Sequence, residues 1–494
     1  MQKLIAGSAT LATAGIITAQ TVAPLNQATP SPTVIVHLFE WTWADVAQEC
    51  ETQLGPQGFK AVQVSPPQEH ILLPDYNYPW WQRYQPVSYQ LTSRSGNRDE
   101  FIDMVNRCQQ AGVDIYVDAV INHMAGFERG VGSGGSLFTK YQYPGLYGPD
   151  DFNDCRHPIK NYKDAEDVTE CELVGLADLD TGSDYVQFQI VNYLKELASL
   201  GVAGFRIDAA KHIPAKELGE IVQQLQGELE NPAFIYQEVI DPGNEAIRKQ
   251  DYYANGSVVE FGYGQFIGEA FLGINGQNLA SLARLSQTED LVPSDQAVVF
   301  IDNHDKQRGH GGGGNYLTYK DGPRYALANA FMLGFPYGQP RIMSSYWFSD
   351  SEQGPPTDAV GNTLPVYDNQ GDRCFQEWGC EHRWDAIANM VNFRNVTAPH
   401  PEITDWWSNG HNQIAFGRGD LGYLVINGED QPLGHTFQTQ LPAGEYCNVI
   451  DGHLAEDEQS CLGAVITVDN QGQFTATVAP MDAIAIHVGA QIRR

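Results

Sequence analysis

Three apolar runs in this chain end in acids: GFRIDAAKH places Asp208 after its strand-like core, FIYQEV places Glu238, and VVFIDNHD places Asp302 and Asp305. Carboxyl groups brought together in this way suit nucleophilic and general acid–base chemistry. A lone acid in a turn more often caps the next helix or pairs with a nearby cation, such as Arg308 for Asp305, or Arg206 and Lys211 for Asp208. Three acids at matching depth on successive elements are hard to explain as caps. Arg206 lies two residues before Asp208 on one face of its strand, so it is expected to keep that carboxyl ionised.

Chemistry at the C-terminal ends of several strands implies a scaffold that gathers them on one rim. Short β-rich runs occur at TVIVHLF, KAVQVS, DIYVDAVIN, AGFRIDA, AFIYQEV, GSVVEF, AVVFIDN and PRIMSSY. The run Val298 to Ile301 lacks polar alternation, as expected of a strand covered on both faces. Amphipathic stretches lie between the runs, one of them Tyr185 to Leu200 with Val186, Ile190, Val191, Leu194 and Leu197 on one face. Eight strands with intervening helices predict an α/β fold, a (β/α)8 TIM barrel.

The barrel is expected over residues 33–121 and 179–400. Residues 122–178, rich in Gly, Pro, Asp and Tyr, are too long for a simple loop and read as an inserted subdomain after strand 3. Beyond about Pro401 the helical pattern gives way to QIAFGRG, GYLVING and AIAIHVG. That change predicts a C-terminal antiparallel β-sandwich domain over 401–494.

Residues 1–32 begin with a lysine and a small-residue apolar stretch and continue into a Pro-containing linker, which reads as a signal peptide and linker of a secreted protein. The even count of eight cysteines, with no Cys-x-x-Cys, fits disulfides in an exported chain. Zinc at Cys374, Cys380 and His382 is disfavoured, because no second ligand pair follows at finger spacing. Asp and Glu outnumber Lys and Arg 61 to 29, for a formal net charge of −32. Such a surface repels nucleic acid and anionic membranes, and high salt would screen its self-repulsion. No nucleic-acid or membrane partner is expected, and a monomer is.

The segments VDAVINH, GFRIDAAKH, YQEV and FIDNHD resemble those of the α-amylase family. PWWQRYQPVSY, YQEVIDPG, DNHDKQRGHG, RIMSSY and CEHRW are similar to its chloride-dependent, animal-type subgroup. The resemblance implies a retaining endo-hydrolase of internal α-1,4-glucosidic bonds, acting on an α-glucan polysaccharide, with Asp208 as nucleophile, Glu238 as general acid/base and Asp305 as transition-state stabiliser. The two-carboxyl chemistry of retaining glycosidases agrees, requiring one ionised group and one protonated group roughly 5 to 5.5 Å apart.

Trp80, Trp81 and Tyr84 would stack on sugar rings, although a Trp pair is equally at home in a core. The resemblance adds His123, Tyr162, Arg206, Lys211 and His304 as substrate contacts. It implies a calcium ion held by the side chains of Asn122 and Asp178 and the backbone carbonyls of Thr169 and His212. It implies a chloride ion at Arg206, Asn303 and Arg341, for which a salt bridge inside the barrel is the alternative at Arg341. The disulfides it implies join Cys50 to Cys108, Cys155 to Cys171, Cys374 to Cys380 and Cys447 to Cys461. Lys306 departs from the subgroup, where asparagine is usual. GHGGGG lacks the Gly-Lys-Ser/Thr of a phosphate loop and is expected to be mobile over the glucan. An exo-acting α-glucosidase or transglycosylase on the same barrel is the alternative enzyme; a non-catalytic glucan-binding relative is the alternative outside the enzymes.

Overall fold

The computed structural model describes residues 33–493 except 289, 360 and 370; the expected signal peptide and linker lie outside these residues. Eight parallel strands close into a barrel in sequential order: β1 Ile35–Leu38, β2 Ala61–Val64, β3 Asp114–Ala119, β4 Gly204–Ile207, β5 Phe234–Gln237, β6 Ser257–Glu260, β7 Ala297–Val299 and β8 Gln339–Ser344, with β8 returning to β1. Seven sit within runs expected from the sequence, and β8 begins one residue before its run, at Gln339. β7 is shorter than its apolar run, ending at Val299.

Alternation along these strands builds two cores. Val36, Val62, Val117, Phe205, Ile235 and Val299 face outward, against the surrounding helices. Ile35, Ala61, Tyr116, Tyr236, Val259 and Val298 fill the interior. Gly204 opens β4 because a Cβ there would lie 2.7 Å from the Phe234 carbonyl and 2.8 Å from the Tyr116 ring.

The outer layer includes helices Arg98–Gln110, Asp184–Ser199, Ala215–Glu228, Pro323–Gly334 and Asp385–Thr397. Arg98–Gln110 starts at a capping box: Asn97 accepts from the Glu100 N–H, and the Glu100 carboxylate accepts from the Asn97 N–H. Asp184–Ser199 buries the predicted face of Val186, Ile190, Val191, Leu194 and Leu197.

Between β3 and β4, His123–Met124 pairs antiparallel with Ala177–Asp178 and a disulfide joins Cys155 to Cys171. The other bridges are Cys50–Cys108, Cys374–Cys380 and Cys447–Cys461, the connectivity the resemblance implied. Beyond the last helix the chain is all β. Thr404–Ser408, Gln413–Arg418, Gly422–Asn427 and Asp482–His487 form a four-stranded antiparallel sheet, which shares a core with the Leu433–Gln438 and Gln473–Val478 pair around Tyr423, Phe437, Phe474 and Ile486. Buried Arg418 joins this domain to the barrel, donating to the carbonyls of Gly334, Thr397 and His400. No described helix is long and apolar enough to cross a membrane.

Candidate active site

Above the apolar interior, towards the C-terminal rim, the barrel turns polar. Gln63 of β2, Asp118 of β3, Arg206 of β4 and Arg341 of β8 are polar residues at inward positions of largely apolar strands, and all are buried. Asp118 and Arg206 are cross-strand partners and meet at 2.6 Å. One residue pair further up, Arg206 Nη1 donates to Asp208 at 2.7 Å, and Nη2 lies 2.5 Å from Glu238 Oε1.

Asp208 leads into a turn at Ala209, whose left-handed backbone (φ 48, ψ 30) aims its N–H at Glu238 Oε2, 3.0 Å away. Asp305 follows β7 and makes neither structural contact its sequence neighbours offered. Its side chain caps no helix, and Arg308 points elsewhere, donating to the His304 carbonyl with its guanidinium over Phe348. The structural acid in that run is Asp302, which accepts from Gln307 and Tyr325.

One guanidinium thus serves Asp118, Asp208 and Glu238, with Asp305 close enough to add to their field. Burial raises Asp208 well above the usual carboxyl range, and the charges of Glu238 and Asp118 reinforce this against the pull of Arg206. Arg206, expected to keep Asp208 ionised, does pull its proton affinity down, but its charge is shared with Asp118 and Glu238. Burial and Glu238 push Asp305 up to about 7. Burial likewise raises Asp118 above the usual carboxyl range, against the pull of Arg206.

These acids open into a cleft of about 1460 Å³. Its walls carry Trp80, Trp81, Tyr84, His123, Tyr162 and Lys211 together with His304. Tyr84 stacks on His304 at 5.0 Å and gives its hydroxyl to Asp118 at 2.9 Å. Trp80 stands edge-on to both rings. The Trp81 indole N–H reaches Glu352 at 2.6 Å. Lys211 bonds the Ile240 carbonyl at 2.6 Å, pairs with Glu245 and lies over the Tyr162 ring. Burial lowers His123 to about 4, leaving a neutral ring whose Nε2 lies 2.9 Å from the Tyr84 carbonyl. Arg206, also expected among the substrate contacts, is 1% exposed and lies beneath the acids.

The chain matches two family models, "Alpha amylase, catalytic domain" over residues 71–238 and "Alpha amylase, C-terminal all-beta domain" over 406–489. An α-amylase of Tribolium castaneum is 48% identical over 473 residues, 93% of this chain and 94% of that protein. The chain belongs to the α-amylase family. Human α-amylase 1B is 45% identical over 488 residues, 93% of this chain and 95% of its own. The crystal structure of wild-type α-amylase I from Eisenia fetida superposes with a TM-score of 0.87 at 42% identity, covering 93% of this chain and 98% of that one.

Among the described residues, Asp178 and Arg341 are two of the buried charged side chains of this α-amylase that make no ion pair. Asp178 is 3% exposed and, among the described residues, accepts only amide hydrogen bonds, from Asn122 and Asn153. Burial and the charges of Glu170 and Glu172 push its carboxyl well up. Thr169 lies in the short helix Ala165–Glu170 and His212 in the one-turn segment Ala210–His212, and the two meet where the His212 ring bonds the Val168 carbonyl. Arg341 is 3% exposed and bonds Gln63 Oε1 at 2.8 Å, with Phe300 beneath it and no carboxylate ion pair among the described residues. Asn303 lies in the loop after β7, its Oδ1 taking the Lys306 N–H.

Cys374 and Cys380 are bonded to each other, and His382 lies between Ser344 and Glu49, which leaves no thiolate for zinc there. Sequence reasoning missed Asp118 and Gln63 as members of the site. The available mark was a polar residue near the C-terminal end of a buried strand, Asp118 in DIYVDA and Gln63 in AVQV.

Proposed function

We propose that this α-amylase hydrolyses internal α-1,4-glucosidic bonds of starch-like glucans with retention of anomeric configuration. The observation that carries this is the attachment of Asp208 and Glu238 to the two terminal nitrogens of one guanidinium, on the floor of an open, aromatic-walled cleft. Sharing one guanidinium favours the short separation of a nucleophile and acid pair over the wider gap that an inverting enzyme reserves for water.

Asp208 attacks the anomeric carbon while Glu238 gives its proton to the departing glycosidic oxygen, forming a glycosyl-enzyme ester. Glu238, now ionised, takes a proton from water, whose oxygen attacks the same carbon and releases Asp208. Asp305 hydrogen-bonds sugar hydroxyls more strongly as the ring flattens in the transition state. Trp80, Trp81 and Tyr84 supply flat faces for glucosyl rings, with His123, Tyr162, Lys211 and His304 as polar and shaping contacts. The open cleft lets a polymer enter along its length, which suits endo cleavage. A related α-amylase I variant from Eisenia fetida has been crystallised as a maltohexaose complex.

Calcium fits the Asn122 and Asp178 side chains and the Thr169 and His212 carbonyls, because oxygen donors around an uncompensated buried carboxylate favour that cation. It would fasten the insert, proposed as residues 122–178, to the barrel, proposed as 33–121 and 179–400; the β domain is proposed as 401–494. Chloride fits Arg206, Asn303 and Arg341, since Arg341 is a buried cation without an acid. It would raise the proton affinity of Glu238. Export to the extracellular space and action as a monomer complete the proposal.

Digestion of amylose tests the function. Iodine colour and viscosity should collapse before much reducing sugar appears, and fresh products should carry the α-anomer by NMR. Release of glucose alone from chain ends, or β-anomeric products, would overturn it.

A further inference from the structure

The glycine run after Asp305 has almost no conformational preference of its own. Gly311, Gly312, Gly313 and Gly314 adopt φ of +65, +85, +71 and +107, all in the left-handed region. These residues nevertheless form part of the cleft wall. At one end, His310 Nε2 lies 3.4 Å from Glu352. At the other, the Asn315 amide donates to Glu269 at 3.1 Å.

The middle is held by Lys306. This side chain is 8% exposed, and its ammonium donates to the Gly311 carbonyl at 2.5 Å and to the Gly313 carbonyl at 2.7 Å. The same ammonium lies 4.8 Å from the Tyr316 ring centroid and 5.4 Å from that of Phe261, which fix its direction. Among the described residues, these two bonds are the hydrogen bonds that tie Gly311–Gly314 to the rest of the chain. Lys306 is also next in sequence to Asp305, so the strap and the acid are positioned from adjacent residues.

We propose that Lys306 is a positioning residue that clasps the Gly311–Gly314 strap across the cleft, so that glucan retention depends on its two hydrogen bonds. The glucan part of this proposal rests on the function proposed above. An ammonium suits the task because its donors are rotatable and can satisfy two carbonyls in an irregular loop. Without it, four glycines in succession would lose the hydrogen bonds that offset the entropic cost of ordering them.

Hydrogen–deuterium exchange of the full chain tests the clasp. In Lys306→Met, exchange of the hydrogen-bonded Gly309 and His310 amides that lead into the strap should accelerate at least about tenfold with the barrel strands unchanged, while Lys306→Arg, which keeps the donors and the charge, should recover much of the protection. With maltoheptaose as substrate, KM of Lys306→Met should rise several-fold and kcat should change by a smaller factor. Lys306→Gln, whose amide is too short to reach the strap, takes the same role if Lys306→Met does not fold. Equal exchange of the Gly309 and His310 amides in variant and wild type, or a fall in kcat with KM unmoved, would overturn the clasp. Absence of wild-type turnover of maltoheptaose would sink the proposed function and the glucan part with it, while the exchange comparison would still decide whether Lys306 holds the strap.

Discussion

Arg206 and Glu238 meet on the floor of the cleft at 2.5 Å, Nη2 to Oε1, without the alignment of a hydrogen bond. The other oxygen of Glu238 takes the Ala209 N–H. The role proposed for Glu238 needs a proton at working pH, and its carboxyl rests directly against a guanidinium. An anion sharing Arg206 would add negative charge beside Glu238, and neighbouring Arg341 is a buried cation with no carboxylate ion pair among the described residues.

Chloride should therefore move the alkaline limb of kcat/KM against pH. That limb reports the general acid of the free enzyme, and a nearby anion raises its pKa. Removing chloride should shift the limb to lower pH, and Arg341→Gln in saturating chloride should resemble the wild type without it. The control is a non-binding anion at matched ionic strength, since a chain of net charge −32 responds to salt in general. The same limb in both anions would make Arg341 a structural arginine.

Asp208→Asn and Glu238→Gln should each reduce starch hydrolysis by roughly a thousandfold or more while preserving the melting temperature to within a few degrees. Each keeps side-chain volume and removes a group needed in the chemical step. Near-native turnover by either variant would exclude the two-carboxyl mechanism.

Chelation of calcium should lower the melting temperature and abolish activity, because Asp178 would be left as a buried carboxylate with amide partners only. Calcium should restore both, and magnesium should not, since it demands a tighter octahedral site. Unchanged melting and activity after exhaustive dialysis against EGTA would remove Asn122 and Asp178 from the ligand set.

Asp305→Asn should cost activity and relieve a pH-dependent strain. The Asp305 carboxyl rises from the ordinary 3.8 to about 7 because it is buried near Glu238. Between those values the folded protein keeps a proton that the unfolded chain releases, so wild-type stability falls as pH rises through that window. The term is on the order of 4 kcal/mol at most. Thermal melts at pH 4 and pH 8 should show the variant gaining on the wild type at the higher pH; an equal difference at both would show that Asp305 titrates normally.

The sequence by itself determined the eight barrel strands and the rim on which Asp208, Glu238 and Asp305 stand, because burial on both faces leaves uninterrupted apolar runs and strand ends are local events. Its motifs, through family resemblance, also carried the disulfide pairing. The tertiary structure alone decided which charges share partners. Arg206 meets Asp118 across 88 residues of sequence and Arg341 meets Gln63 across 278, contacts that exist only once the barrel has closed. Alternation along a strand tells which face a residue takes, but not which groups the other strands bring to the same depth. The direction of the Asp208 pKa depends on that sum of burial and charge, which is why Arg206 looked like a dedicated partner in GFRIDA and proved to be shared. The reach of Lys306 to Gly311 and Gly313 was hidden for a related reason: four glycines in a row encode no conformation, and only the packed ring of Tyr316 and the floor of the cleft give the ammonium its direction.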